Sequence, residues 1–438
     1  MSASPPPSRT EHRSLVEAVI ASTVGTTIEW YDFFLYGTTA ALVFPEIFFP
    51  TVDPFLGRIL SFSTFTVGFI ARPVGGLLFG YLGDRVGRKS TLVGTLLLMG
   101  VSTLLIGFLP THKQIGATAP LLLVTLRFIQ GIGVGGEWGG AVLLALEYGH
   151  RKHRGFYASW PQAGVPLGLL TSTGVLELCR AKISVSDAAF FSWGWRIPFY
   201  VSGLLIVIGL VIRMRILETP LFAQLKATDQ LARAPVRETV RGHWREILLA
   251  AGSRLSENSC FYLFTAYVLT YGRIVLNVEK GLMLRAVSLA AAIEFFTIPL
   301  FGLLADRFSR KGTYVLGCVF LALFAFPYYA LLDTTRTGAI VLAVVLSLTI
   351  GHALLYSVQA SLIPELFGTR LRYTGASLGY QLGSPLAGGL APIIADSLVE
   401  AFPNRYWPLA LYIIVISIIS LICVLRLSET SRKDISAG

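Results

Sequence analysis

The chain has 438 residues, of which 54% are hydrophobic and 14% charged, with a formal net charge of +11 and a mean hydropathy of +0.66. A soluble domain carries about 25% charged residues, so a water-soluble enzyme is excluded. Apolar runs of about 20 residues recur along most of the length, each enough to cross a bilayer core of about 30 Å, and they describe an all-α integral membrane protein.

The polar start, MSASPPPSRTEHR, leads into an apolar run too long for a signal-peptide core and shows no obvious cleavage site, so no removed leader is expected. Twelve spans are predicted, centred near residues 29, 69, 99, 133, 168, 205, 259, 293, 322, 348, 386 and 416. They divide the chain into a tail (1–14), a six-helix half (15–216), a polar linker holding Pro220 and Pro235 (217–245), a second six-helix half (246–427) and a C-terminal tail (428–438). With both termini in the cytoplasm, 23 Lys and Arg residues fall on that side and 9 on the other, as the positive-inside rule requires. The same distribution accounts for the net charge, leaving the lipid bilayer and no nucleic acid as the surrounding partner. The four cysteines, Cys179, Cys260, Cys318 and Cys423, stand singly without metal-ligand spacing and read as packing residues, and no metal or cofactor is expected.

The two halves repeat. GYLGDRVGRK (80–89) returns as GLLADRFSRK (302–311) at an offset of 222, aligning Gly80, Asp84, Arg85, Arg88 and Lys89 with Gly302, Asp306, Arg307, Arg310 and Lys311. Glu147, Arg154, Ala158 and Ser159 return as Glu365, Arg372, Ala376 and Ser377 at an offset of 218. Parallel six-span repeats are a recurrent transporter design, with the substrate site near the midplane between the halves. Glycines at the end of the second span, Gly75, Gly76 and Gly80, permit close helix approach. Beside them Asp84, Arg85, Gly87, Arg88 and Glu147, with Asp306, Arg307 and Arg310 in the second copy, form a predicted latch of charges and helix ends that holds one conformation and breaks during transport.

Ionisable residues at membrane depth are Glu29, Asp32, Arg72, Arg127, Glu137, Arg254, Glu257 and Glu294, with His352. Each costs about 2.5–3.5 kcal/mol on insertion scales and so faces the bundle interior. Five acids against three arginines leave carboxylates without a cationic partner, and such groups tend to hold a proton. Glu29 and Asp32, three apart in TTIEWYDFFLYG, share a helix face and cannot readily both ionise, so they and Glu294 are the proton-coupling candidates, Asp32 first. Arg127 and Arg254, one from each half, are the candidate carboxylate ligands. Asn258 and Tyr262 follow Arg254 on one stripe, and Tyr31, Tyr356 and Gln381 complete the predicted substrate set. Glu137 reads as a structural partner. Arg72 reads as structural or coupling rather than binding, and Glu257 at i+3 is the competing partner for Arg254.

The motifs TTIEWYDFFLYG, ARPVGGLLFGYLGDRVGRK, RFIQGIGVGGEWGGA, WRIPF, ETPLF and PELFGTRLRYTG, in this order over nearly the whole chain, resemble the metabolite:proton symporter family of the major facilitator superfamily. The resemblance implies the twelve-helix major facilitator fold, a monomer, and a carrier of the kind that moves oxoglutarate, citrate, shikimate, or proline and betaine. The chain ends about ten residues after the last span, without the coiled-coil extension of the osmosensing members, which lowers the osmolyte expectation.

No GxxxxGK[ST] loop supports ATP-driven transport, the glycine-rich GIGVGGEWGG lies inside an apolar span rather than after a soluble strand, and no nucleophile with a base or metal cluster supports an intramembrane enzyme. The expected function is proton-coupled import of a small organic acid by alternating access. The alternatives are symport of a zwitterion such as proline or betaine, held by Trp30, Tyr31 or Tyr262, and a nutrient receptor that binds solute without moving it.

Overall fold

The computed structural model describes residues 9–52, 54–179, 187–215, 217–431 and 433. Arg180 and Lys182, the first eight residues and the last five lie outside them.

Each predicted span falls on a helix. The first half is α1 (Arg9–Leu42), α2 (Pro54–Arg85), α3 (Arg88–Phe108), α4 (Thr118–Tyr148), α5 (Arg154–Leu178) and α6 (Ile197–Arg215). The second begins with α7, which runs Pro235–Tyr262 and continues through a π-turn, Leu263–Tyr267, into Val268–Ile274. It goes on with α8 (Lys280–Arg307), α9 (Arg310–Asp333), α10 (Thr337–Glu365), α11 (Arg372–Ala401) and α12 (Trp407–Arg426). Among the described residues nine helices are long and apolar enough to cross a membrane by themselves. The other three are α1, α5 and α7, and α1 and α7 carry Glu29, Asp32, Arg254 and Glu257. The polar segment between the halves is partly helical: Pro220–Ala227 is a short helix, and α7 starts at Pro235 and bends at His243.

The seams between the halves are α2 against α11 and α5 against α8. Close approach is possible because small residues face each other there. A Cβ on Gly80 would sit 2.9 Å from Thr374 Cα, and one on Gly302 would sit 2.7 Å from the Gly155 carbonyl oxygen. The two seams occupy matching places in the two repeats, as the offsets require.

Inside the first half the Glu137 carboxylate holds the Arg213 guanidinium and accepts the Thr95 hydroxyl at 2.7 Å, with all three groups buried. This is the structural pairing expected of Glu137, with a partner that charge counting had assigned to a loop. Removing one member of a buried pair costs about 3–5 kcal/mol. Arg213→Met should therefore lower the thermal unfolding temperature in detergent, and adding Glu137→Gln should restore most of the loss.

Candidate functional site

At mid-depth α1 turns its acids toward the interior of the first half. Asp32 is fully buried; its Oδ1 accepts the Ser202 hydroxyl of α6 at 2.5 Å and its Oδ2 has no hydrogen-bond partner. Glu29, one turn earlier, is 3% exposed, and neither acid has a cation within 4 Å among the described residues. Tyr31 points elsewhere: its hydroxyl donates to the Pro198 carbonyl at 2.8 Å, which ties α1 to α6.

Facing these acids are two guanidiniums seated on aromatic rings. Arg127 of α4 lies 4.1 Å over Tyr36 and 5.0 Å from both Phe33 and Phe65. One of its nitrogens donates to Gln130 at 2.5 Å, and Gln130 is itself anchored on Thr103 at 2.7 Å. Its Nε and Nη2 have no partner. Arg72 of α2 lies 4.4 Å from Phe69 and 4.7 Å from Phe33, with Nη2 unpartnered. Eight arginines are buried among the described residues. Six of them, Arg88, Arg154, Arg213, Arg254, Arg310 and Arg372, are ion-paired; Arg72 and Arg127 are the two that are not. Burying a charge without a close ion-pair partner is costly.

The second half contributes neutral groups to the same place. Tyr262 of α7 packs on Phe69 at 5.3 Å and Phe33 at 6.0 Å, its hydroxyl unpartnered, and Asn258 Oδ1 one turn away is unpartnered too. Both border Gly388 of α11, where any Cβ would collide with them. Unsatisfied buried polar atoms are rare enough to need a reason, and here they converge from both halves.

Arg254 does not join them. Its guanidinium is taken up by Glu257 at 3.1 Å, by the Tyr380 carbonyl and by the Ser384 hydroxyl at 2.8 Å, and it lies 3.3 Å over the Tyr380 ring. The competing i+3 partner has claimed it, and the second unpaired cation is Arg72 of the first half, not an arginine of the second. Gln381 is likewise engaged, donating across the seam to the Val134 carbonyl at 3.4 Å. Tyr356 stacks on His352 at 4.9 Å, and Glu294 contacts His352 at 2.5 Å, away from the α1 acids.

The predicted latch residues gather at the face where α1 begins and α12 ends. Asp84 accepts the backbone N–H of Tyr373 at 3.1 Å and of Thr374 at 2.9 Å, capping α11. Asp306 accepts those of Gly155 and Phe156, both at 2.8 Å, capping α5. Carboxylates at helix N-termini meet both free N–H groups and the positive end of the dipole. Arg88 and Arg310 hold the two aspartates at 3.2 and 2.7 Å. Glu147 pairs across the seam with Arg372 at 3.2 Å, and Glu365 with Arg154 at 3.6 Å. Arg85 and Arg307 are exposed at their helix ends and stand outside this arrangement.

Two further acids were missed. Glu218 accepts the N–H groups of Arg88 and Lys89 at 3.1 and 3.3 Å, and Glu429 those of Arg310 and Lys311 at 3.2 and 3.1 Å, so each caps the helix after a latch loop. Gly87 leaves room for the first of these with a φ of 134° that favours glycine. Burial raises the proton affinity of Glu429, but the Ser309 hydroxyl and the amides of Ser431 and Lys311 outweigh it and hold the carboxyl below its ordinary range. The signal was present as Glu-Thr at 218–219 and again at 429–430.

The sequence model of the Major Facilitator Superfamily matches residues 33–392. The chain belongs to this superfamily. Among curated relatives of this Major Facilitator Superfamily protein, the shikimate transporter of Escherichia coli (strain K12) is 40% identical over 417 residues, covering 95% of both chains. The inner membrane metabolite transport protein YhjE of the same strain is 38% identical over 96% of this chain and 95% of its own. The glycine betaine/proline/ectoine/pipecolic acid transporter OusA of Dickeya dadantii is 36% identical over 97% of this chain and 85% of its own. The proton:xylose symporter XylE bound to 6-bromo-6-deoxy-D-glucose superposes with a TM-score of 0.77 at 16% identity, covering 97% of this chain and 98% of that one. The protein is therefore a multi-pass membrane transporter of metabolites built on the superfamily fold, and not an enzyme.

Proposed function

We propose that this transporter imports a small organic acid by proton-coupled symport, with the latch face and both termini in the cytoplasm of a bacterial inner membrane, working as a monomer. The observation that carries the reading is the pair Arg72 and Arg127, buried on aromatic faces without a carboxylate. A substrate carboxylate between them supplies the missing anion through charge-assisted hydrogen bonds. Asn258 and Tyr262 take its hydroxyl or ring substituents from the opposite half. Without substrate or proton the site holds two cations and two carboxylates, Glu29 and Asp32. An entering carboxylate adds one negative charge, and a proton on Asp32 restores neutrality, so the loaded carrier reorients with both or not at all.

A zwitterionic amine fits less well: of the three rings expected to cage its cation, Trp30 already lies 5.8 Å from the Arg72 guanidinium and Tyr31 is turned to the Pro198 carbonyl, which leaves Tyr262.

The test is uptake into proteoliposomes under an imposed inward proton gradient, with shikimate, oxoglutarate, benzoate and betaine as labelled solutes. An acid, and not betaine, should accumulate. Asp32→Asn should keep counterflow exchange but lose about tenfold in accumulation per unit of imposed pH difference, the share of one proton. Accumulation indifferent to Asp32 would remove it from the coupling scheme.

A further inference from the structure

The second half contains a buried ionic chain that the substrate site does not use. Glu294 of α8 contacts His352 Nδ1 at 2.5 Å; His352 Nε2 lies 3.4 Å from Glu257 of α7; Glu257 holds Arg254 at 3.1 Å. All four residues are at most 2% exposed. The groups around them are neutral: Tyr356 stacks on the imidazole at 4.9 Å and Phe261 packs tilted against it at 4.7 Å, Gln359 reaches Arg254 and Tyr314, and Tyr380 of α11 lies beneath the guanidinium. The four charges therefore have only one another. They sum to zero only when the Glu294–His352 pair carries one proton beyond neutral imidazole and carboxylate, and His352, in contact with both acids, is where that proton is shared.

The chain also reaches the closed seam. The Tyr380 ring that carries Arg254 stacks at 3.6 Å on Trp138 of the first half, and Trp138 is fixed by Gln162, which donates across the seam to the Tyr356 carbonyl at 3.0 Å. His352 is the last residue of a π-turn, Ser347–His352, and a second π-turn in α7 begins just after Tyr262. Such turns interrupt the regular ladder, and helices adjust there.

We infer that His352, between Glu294 and Glu257, is a second proton-binding site of the carrier, filled while the latch face is closed and emptied when it opens. Without its proton the closed cluster holds one uncompensated negative charge in a buried interior, which is unfavourable. Opening the seam moves α10 and α11 and admits water, which removes that cost. A group that binds its proton more tightly in one arrangement than in the other exchanges it over the cycle, and this is the linkage that coupling requires. The inference rests on the symport reading above and adds one proton to that of Asp32.

With the membrane potential clamped at zero, each coupled proton contributes about tenfold accumulation per unit of pH difference. Proteoliposomes loaded with labelled shikimate to steady state at one unit should give about 100-fold accumulation for the wild type. The double variant His352→Gln with Glu294→Gln keeps the cluster neutral without a proton, and should give about tenfold. His352→Lys, which fixes a charge between the two acids, should give the same value and guards against misfolding of the first. Adding Asp32→Asn to the double variant should abolish accumulation while exchange continues. Wild-type accumulation of only tenfold, or variants that match the wild type, would overturn the second site and leave the symport reading standing. A wild type that accumulates nothing would overturn that reading itself.

Discussion

Arg127→Ala and Arg72→Ala should each weaken acid binding by about 30-fold or more, because truncating one partner of a buried, hydrogen-bonded charge pair costs about 2–5 kcal/mol. Direct binding of the labelled acid to purified protein measures this apart from turnover. Arg127→Lys should recover little, since the guanidinium's flat fork both seats on Tyr36 and offers parallel donors. Arg254→Ala is the informative contrast. It strips Glu257 of its cation, so it should lower the yield of folded protein while leaving the affinity of what folds within a few-fold. If instead Arg254→Ala folds normally and loses binding, while Arg127→Ala binds normally, the assignment of the two arginines is reversed.

The exchange of Arg254 for Arg72 beside Arg127 is the distance between sequence and structure. The spans, the two halves and the position of the acids on α1 are visible in periodicity and composition, because lipid imposes them on every residue along a helix. The repeat offsets point to Asp84, Arg88, Asp306 and Arg310 before any coordinates, but also to Arg85 and Arg307, which stand outside, and not to Glu218 and Glu429. What spacing along one helix does not encode is the partner chosen across helices. Arg254, Asn258 and Tyr262 lie on one stripe, yet only the last two have free polar atoms, since Glu257 and α11 claim the arginine. Arg72, beside Pro73, carried no such stripe and was given a structural or coupling role. Arg213 was counted as a loop charge, although it is 2% exposed and paired with Glu137. Glu147 and Arg154 stand together in the sequence, but each pairs with the other's repeat.

Neutralising the helix caps should open the latch face. The Asp84 carboxylate accepts two backbone N–H groups of α11 and holds Arg88, and hydrogen bonds to a charged group contribute about 1.5–3 kcal/mol each. Asp84→Asn should therefore shift the population away from the closed arrangement by at least about tenfold. Ser377 provides the reporter, because it is buried in the seam against Gly139. In a background with the four native cysteines replaced by serine, Ser377→Cys should be alkylated at least about tenfold faster when Asp84→Asn is present. Asp306→Asn should act alike at the other seam. The two together should multiply, since their caps share no residue. An alkylation rate unchanged by both would mean that packing at Gly80 and Gly302 holds the face without them.

The exchange of caps has a consequence for how such a molecule is assembled. Asp84 of the first half caps a helix of the second, and Asp306 of the second caps the matching helix of the first; Glu147 and Glu365 trade arginines in the same way. A contact in which each partner gives what it receives is isologous, the geometry of two identical chains about a two-fold axis. One six-helix chain bearing a single aspartate, glutamate and pair of arginines at these places would already be self-complementary. Two copies would close this face as a homodimer with nothing added, and joining them end to end preserves every contact while freeing each copy to specialise: one kept unpaired cations, the other an ionic chain around a histidine.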